Sequence, residues 1–100
     1  MIIVGGEFTV EADKREDFLA GRHEGMRTSR AEEGCLEYTF SADPLDPTRV
    51  LLFERWENQE ALDAHLSALR SAPPPSVAGV APTSAAITVY DIVGQRTLGS

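Results

Sequence analysis

The stretch from Glu33 to Leu66 constrains the fold more than any other part of the chain. It opens on Glu33-Gly34-Cys35-Leu36-x-Tyr38 and passes through Asp43-Pro44-Leu45-Asp46-Pro47. It continues as Leu52-Phe53-Glu54-Arg55-Trp56 and closes on Glu60-Ala61-Leu62-x-x-His65-Leu66. Physically this reads as a glycine that stops a helix, a strand, a turn rich in proline and aspartate, a second strand ending in tryptophan, and an amphipathic helix. The alternation of Leu36, Tyr38 and Phe40 against Glu37, Thr39 and Ser41 gives the first of these strands one dry face and one polar face.

The flanking segments complete the pattern. Met1 to Val10 is apolar and β-branched, and Gly5-Gly6 inside it signals a bulge or a close approach to the backbone. From Asp13 the chain turns charge-rich and helical, with Asp13 and Glu16 spaced as a capping box, and this helix is expected to run to about Glu32 and stop at Gly34. Asn58 is placed to cap the next helix, whose inward stripe is Leu62, His65, Leu66 and Leu69. The prolines between Ser71 and Pro82 exclude a regular element and suggest a loop able to act as a flap. Ala85 to Val93 is the last strand, and residues 94–100 read as a frayed tail or an arm that reaches a partner. The order strand, helix, strand, strand, helix, strand defines an α+β ferredoxin-like βαββαβ domain with a four-stranded antiparallel sheet, spanning residues 1–100 as a single unit.

Apolar residues occupy both parities of three strands: Ile2, Ile3 and Val4; Val50, Leu51, Leu52 and Phe53; Val89, Tyr90 and Ile92. Two helices cover only one face of such a sheet, so the second face is expected to meet another protein surface, most simply a second copy of the chain. A chain of 100 residues has a thin core, which self-association would reinforce. Its formal charge of -7, from 16 acidic and 9 basic residues, argues against nucleic acid and against an anionic membrane surface as partners. The apolar runs are strand-sized, and the single Cys35 closes no intrachain bridge, so a cytoplasmic location is the default expectation.

The residues able to carry chemistry are few. There is no dinucleotide fingerprint, phosphate loop, zinc spacing or serine elbow, so no metal or other cofactor is expected. An imidazole can pass protons at neutral pH, and His65 points inward; it either shuttles protons or is a packed histidine satisfied by backbone or water. Trp56 either walls an aromatic ligand or fills the core, and Tyr38 either donates to a ligand oxygen or builds the dry face with Phe40. Glu54, on the same side of its strand as Trp56, calls for a partner such as Arg49, Arg55 or a residue of another subunit. Around Phe18 the helical stripe has a gap, because Gly21, Arg22 and Gly25 stand where large apolar groups are expected. Arg22 either faces the resulting volume to pair with a phenolate or carboxylate, or lays its stem on the core and reaches water. His23 is expected to face solvent, Cys35 to be a small buried hydrophobe, and Glu16, Asp17, Glu24, Glu32 and Glu33 to form a solvated acidic face.

Taken together, Lys14-Arg15-Glu16-x-Phe18, Gly34-Cys35-Leu36-x-Tyr38, Asp46-Pro47, Glu54-x-Trp56 and Glu60-Ala61-Leu62-x-x-His65-Leu66 resemble the antibiotic biosynthesis monooxygenase family over nearly the whole chain. The resemblance implies a dimeric α+β barrel, a homodimer joined through the sheet face. It also implies a monooxygenase that needs no cofactor and oxidises a small aromatic hydroxyl compound, such as a quinol or anthrone, with molecular oxygen. On that pattern His65 is the proton shuttle, Arg22 or Tyr38 an oxygen-facing donor, and Trp56 part of the ring-binding wall. A non-catalytic dimeric protein that binds an aromatic metabolite is the alternative, and a stress or detoxification dimer handling aldehydes or quinones is a third class. Many relatives carry a second histidine after the helix holding the first. Here Ser71-Ala72-Pro73-Pro74-Pro75 stands there instead, and the residues used for haem degradation in another branch are also absent.

Overall fold

A computed structural model describes residues 1–73 and 79–99. Strands β1 (Ile2–Thr9), β2 (Cys35–Ala42), β3 (Arg49–Trp56) and β4 (Ser84–Asp91) form one antiparallel sheet in the order β2-β3-β1-β4. Helices α1 (Arg15–Ala20), α2 (His23–Arg30) and α3 (Gln59–Ser71) supply the remaining elements, giving the expected ferredoxin-like α+β architecture. Because side chains alternate along a strand, Ile2, Val4, Tyr38, Leu52 and Trp56 share one face and bury themselves with Leu62 of α3. A second cluster of Val10, Phe18 and Val50 seats α1 on the same side. On the opposite face Phe53 and Tyr90 remain 43% and 52% exposed, which is the two-faced pattern read in the strands.

The first helical region departs from expectation. In place of one helix from Asp13 to about Glu32, a 3-10 turn at Ala12–Lys14 leads into α1, and the chain breaks at Gly21-Arg22 before α2 begins. No capping box forms: Asp13 lies inside the 3-10 turn, and the residue preceding α1 is Lys14, whose ammonium pairs with Glu11 at 2.7 Å. The break keeps its backbone satisfied, since Gly21 N–H donates to Asp17 and Arg22 N–H to Leu19, both at 3.0 Å. Its cause is tertiary. The Arg22 guanidinium lies over the Phe18 ring at 4.5 Å and the Phe40 ring at 5.7 Å, which pulls the chain toward the sheet where glycine resists least.

After α2 the chain turns through Gly34, whose φ of +83° is the left-handed conformation expected of a helix stop, although the helix itself ends at Arg30. A Cβ at Gly34 would lie 2.5 Å from the Cβ of Ala61, so this turn is pressed against α3. A register shift between Cys35 and Glu37 then displaces Leu36, which is 41% exposed and not part of the dry face; Cys35 packs against the core in its place. In β1, Gly5 and Gly6 pair without a bulge. The close-approach reading holds instead, because a Cβ on Gly6 would stand 3.2 Å from Leu52 Cβ and 3.4 Å from Ile87 Cγ1.

The turn between β2 and β3 is built from its aspartates, with Asp43 accepting from Leu45 N–H and Asp46 from Thr48 N–H, each at 2.9 Å. Arg15 of α1 donates to the carbonyls of Asp43 and Asp46 at 2.9 and 2.7 Å, locking this turn to the helix. Arg30 of α2 likewise reaches the Tyr38 carbonyl at 2.8 Å and occupies the outer edge of β2. Asn58 caps α3 as expected, accepting from Ala61 N–H at 2.9 Å. Only Leu62 and His65 of the predicted stripe are buried; Leu66 and Leu69 are 40% and 54% exposed, and Leu69 overhangs an open space instead of resting on the sheet. Of the expected flap, residues 74–78 lie outside the described residues, and so does Ser100 of the expected arm.

Candidate active site

That space is a cleft of about 520 Å³ between α2, α3 and β2, well within the range of small-ligand sites. The sheet supplies its floor through Tyr38 and Phe40. Gly21, Arg22, Gly25 and Ser29 form one wall, and Ala68, Leu69 and Ala72 overhang from the other. The missing bulk at Gly21 and Gly25 is what leaves the volume, as the gap in the helical stripe suggested. Most of the lining is apolar, so the polar groups that reach it are few: Arg22, Ser29, Thr28, Glu24, Glu32 and the Tyr38 phenol.

Two of the four residues singled out in the sequence therefore face the cleft directly. Arg22 is held on the faces of Phe18 and Phe40, which fixes a cation beside an aromatic floor. Tyr38 is buried, and burial followed by the nearby Glu54 charge pushes its pKa up to about 12. Its hydroxyl therefore stays protonated at physiological pH, with the Ser29 side chain as a hydrogen-bonding neighbour that partly opposes the rise. His65 and Trp56 lie one layer deeper, 2% and 0% exposed, and neither is part of the lining. The indole ring stacks on the imidazole at 4.7 Å, with the Tyr38 ring edge-on at 5.3 Å. Trp56 thus supports the site from behind.

The imidazole is held by a side chain in place of backbone or water: its Nδ1 meets the Oε1 of Glu32 at 2.6 Å. An ionised carboxylate can only accept, so with Glu32 as the carboxylate the Nδ1 is assigned as the donor of this pair. Glu32 is accordingly not part of a solvated acidic face; its side chain is 24% exposed and borders the cleft. One signal could have marked it, since a carboxylate just past a helix C-terminus opposes the helix dipole and calls for a compensating partner. His23 is exposed as expected. Cys35 is half-buried, and burial raises its thiol pKa, in keeping with a small unreactive hydrophobe.

Glu54 also differs from expectation. Arg49 and Arg55 project to the opposite face, where Arg49 binds Glu7 at 2.6 Å and Asp43 at 3.1 Å. Glu54 instead accepts from the indole Nε1 of Trp56 at 2.8 Å, two residues along the same face. Burial raises the Glu54 pKa, and the indole hydrogen bond and His65 oppose that rise. A raised carboxyl pKa means a contribution to stability that is present below the ordinary glutamate range and is lost as pH rises through the folded-state value. Trp56→Phe removes the opposing hydrogen bond, so it should cost about 2–4 kcal/mol and cost more near about pH 8 than near about pH 5. Urea unfolding at both pH values checks this; equal losses would show that the indole does not support a buried charge.

Among the described residues no helix is long and apolar enough to cross a membrane, and no group of three or more His, Cys, Asp or Glu side chains is placed to hold a metal ion.

Comparison with known proteins agrees with this architecture. The chain is 41% identical over 64 residues to the uncharacterized protein sll1783 of Synechocystis, a match covering 64% of this chain and 44% of that protein. The chain thus spans under half the length of that relative. It is 29% identical over 65 residues to YcnE of Bacillus subtilis, whose name proposes a monooxygenase, covering 65% of this chain and 68% of that one. The fold superposes on a proposed antibiotic biosynthesis monooxygenase of Deinococcus radiodurans with a TM-score of 0.77 at 22% identity, covering 100% of both chains. It superposes on Rv0793 of Mycobacterium tuberculosis with a TM-score of 0.70 at 25% identity, covering 96% and 98% of the two chains. Residues 1–70, which carry the Arg22 wall, the Tyr38 floor and the His65 support, match the antibiotic biosynthesis monooxygenase family, and the chain belongs to that family.

Proposed function

We propose that the protein is a cofactor-independent monooxygenase that oxidises a small aromatic hydroxyl compound, such as a quinol or anthrone, with molecular oxygen. The observation that carries this reading is the cleft itself: an aromatic floor, a guanidinium pinned at its edge and a phenol that stays a donor. Such a site suits a flat ring whose oxygen gains negative charge. Deprotonating the ring hydroxyl makes the ring electron-rich enough to react with dioxygen. One oxygen atom then enters the ring and the other leaves as water, with the substrate supplying all the electrons. Arg22 is the group that settles the developing oxyanion, Tyr38 a second donor, and the His65–Glu32 pair the route for the proton. A flat ring seated on the apolar floor would displace the water there, which would strengthen each of these interactions. The test is substrate loss and oxygen uptake with a panel of quinols, comparing the parent with Arg22→Ala and His65→Ala. Ligand binding without oxygen uptake would support a binding protein instead.

The open sheet face supports a homodimer in which Ile3, Leu51, Phe53 and Tyr90 of one protomer meet those of another. Phe53→Asp should leave a monomer at micromolar concentration in analytical ultracentrifugation while the parent sediments as a dimer. A monomeric parent contradicts the proposal.

A further inference from the structure

The reading of the cleft as a site for an aromatic hydroxyl compound leaves open which group takes the hydroxyl proton, and the geometry separates the candidates. His65 is 2% exposed and absent from the lining, so a ligand in the cleft cannot reach its ring without displacing Glu32. Glu54 is just as buried and already accepts from Trp56. Tyr38 holds its own proton. Glu24 borders the cleft from the exposed side of α2, where water competes for it. Glu32 alone combines a position on the lining with a largely buried side chain and a fixed orientation, its Oε1 held 2.6 Å from His65 Nδ1.

We infer that Glu32 is the catalytic base of the cleft and that His65, itself seated on the Trp56 ring, is a positioning residue that holds the carboxylate in place. In the step this assigns, the ligand O–H bond breaks and an O–H bond forms on Glu32. The electron pair stays on the ligand oxygen, which becomes a phenolate facing Arg22. The inference rests on the cleft reading above and narrows the substrate class. A simple phenol is a weaker acid than a carboxylic acid by about a millionfold, and a neighbouring cation recovers about tenfold to a thousandfold of that. The rest must come from the ligand, so the favoured substrates are phenols or enols acidified by a conjugated carbonyl or similar group.

The experiment uses 4-nitrophenol, an acidified phenol that dioxygen does not oxidise, at a pH about one to two units below its own pKa so that the free ligand is un-ionised; its phenolate absorbs visible light. Absorbance gives the phenolate formed on binding. Calorimetry in two buffers of different ionisation enthalpy gives the protons released. With the parent protein, phenolate should form with little proton release, because the proton stays on Glu32. Glu32→Gln should lose that retention, every phenolate formed being matched by a proton in the buffer. Glu32→Asp, which keeps a carboxylate, and His65→Gln, which removes only the anchor, should still retain the proton, the latter with weaker binding. Retention that survives in Glu32→Gln, or that is lost in His65→Gln but kept in Glu32→Gln, overturns the assignment while leaving the cleft reading intact. If 4-nitrophenol and unsubstituted phenol both fail to bind the parent, the cleft reading is wrong and the assignment falls with it.

Discussion

Gly34→Ala should lower the unfolding free energy by about 2–5 kcal/mol, from a left-handed backbone forced on an L-residue and from overlap with α3. Both penalties come from the same place. At φ +83° alanine is strained whatever the surrounding space, and the added carbon would sit 2.5 Å from Ala61 Cβ, a contact real side chains do not make. Neither the turn nor the capped first turn of α3 can withdraw cheaply, because Glu57 N–H donates to the Gly34 carbonyl at 2.9 Å and Asn58 holds Ala61. For a domain of this size the loss corresponds to about 4–8 °C in Tm per kcal/mol. The effect also reaches the site, since this turn brings Glu32 to His65, so weaker ligand binding should accompany the lower Tm in calorimetry. An unchanged Tm would mean that α3 is free to shift away from the turn.

Arg22→Ala should reduce turnover of an aromatic hydroxyl substrate by about 100- to 1,000-fold, the usual effect of removing one preorganised partner of a developing oxyanion. Stability should fall by about 0.5–2 kcal/mol, because the ring-face contacts of the guanidinium that hold the break at Gly21-Arg22 against the sheet are lost. Arg22→Lys separates charge from shape: an ammonium keeps the cation but not the planar group that fits between Phe18 and Phe40, so only partial recovery is expected. Near-parental turnover in Arg22→Ala would place the oxyanion elsewhere in the cleft, with the Tyr38 hydroxyl as the remaining donor on its floor.

How far the sequence led depended on how local each determinant was. Gly34 and Asn58 were readable because a left-handed turn and a helix cap are set within a few residues, and both stand where the pattern put them. The gap at Gly21 and Gly25 correctly pointed to empty volume beside Arg22. The break in the first helix was missed because glycine costs only about 1 kcal/mol in a helix. What decides the matter is Arg22 lying across Phe40, a contact between distant segments. The same reason hid the Glu32–His65 pair, whose members are 33 residues apart in sequence. Glu54 is the instructive exception. Its partner Trp56 stands at a spacing of two on one strand face, whereas the nearby arginines that charge pairing suggests are sent by the pleat to the other side.

Oxygen chemistry in the cleft is tested most directly by product analysis after the parent protein turns over an acidified quinol under isotopically labelled dioxygen with no added cofactor. The expected product carries a single labelled oxygen on its ring, the remaining label appears in water, and Arg22→Ala forms the same product far more slowly. A product without label, or a bound quinol that consumes no oxygen above the uncatalysed rate, would contradict it.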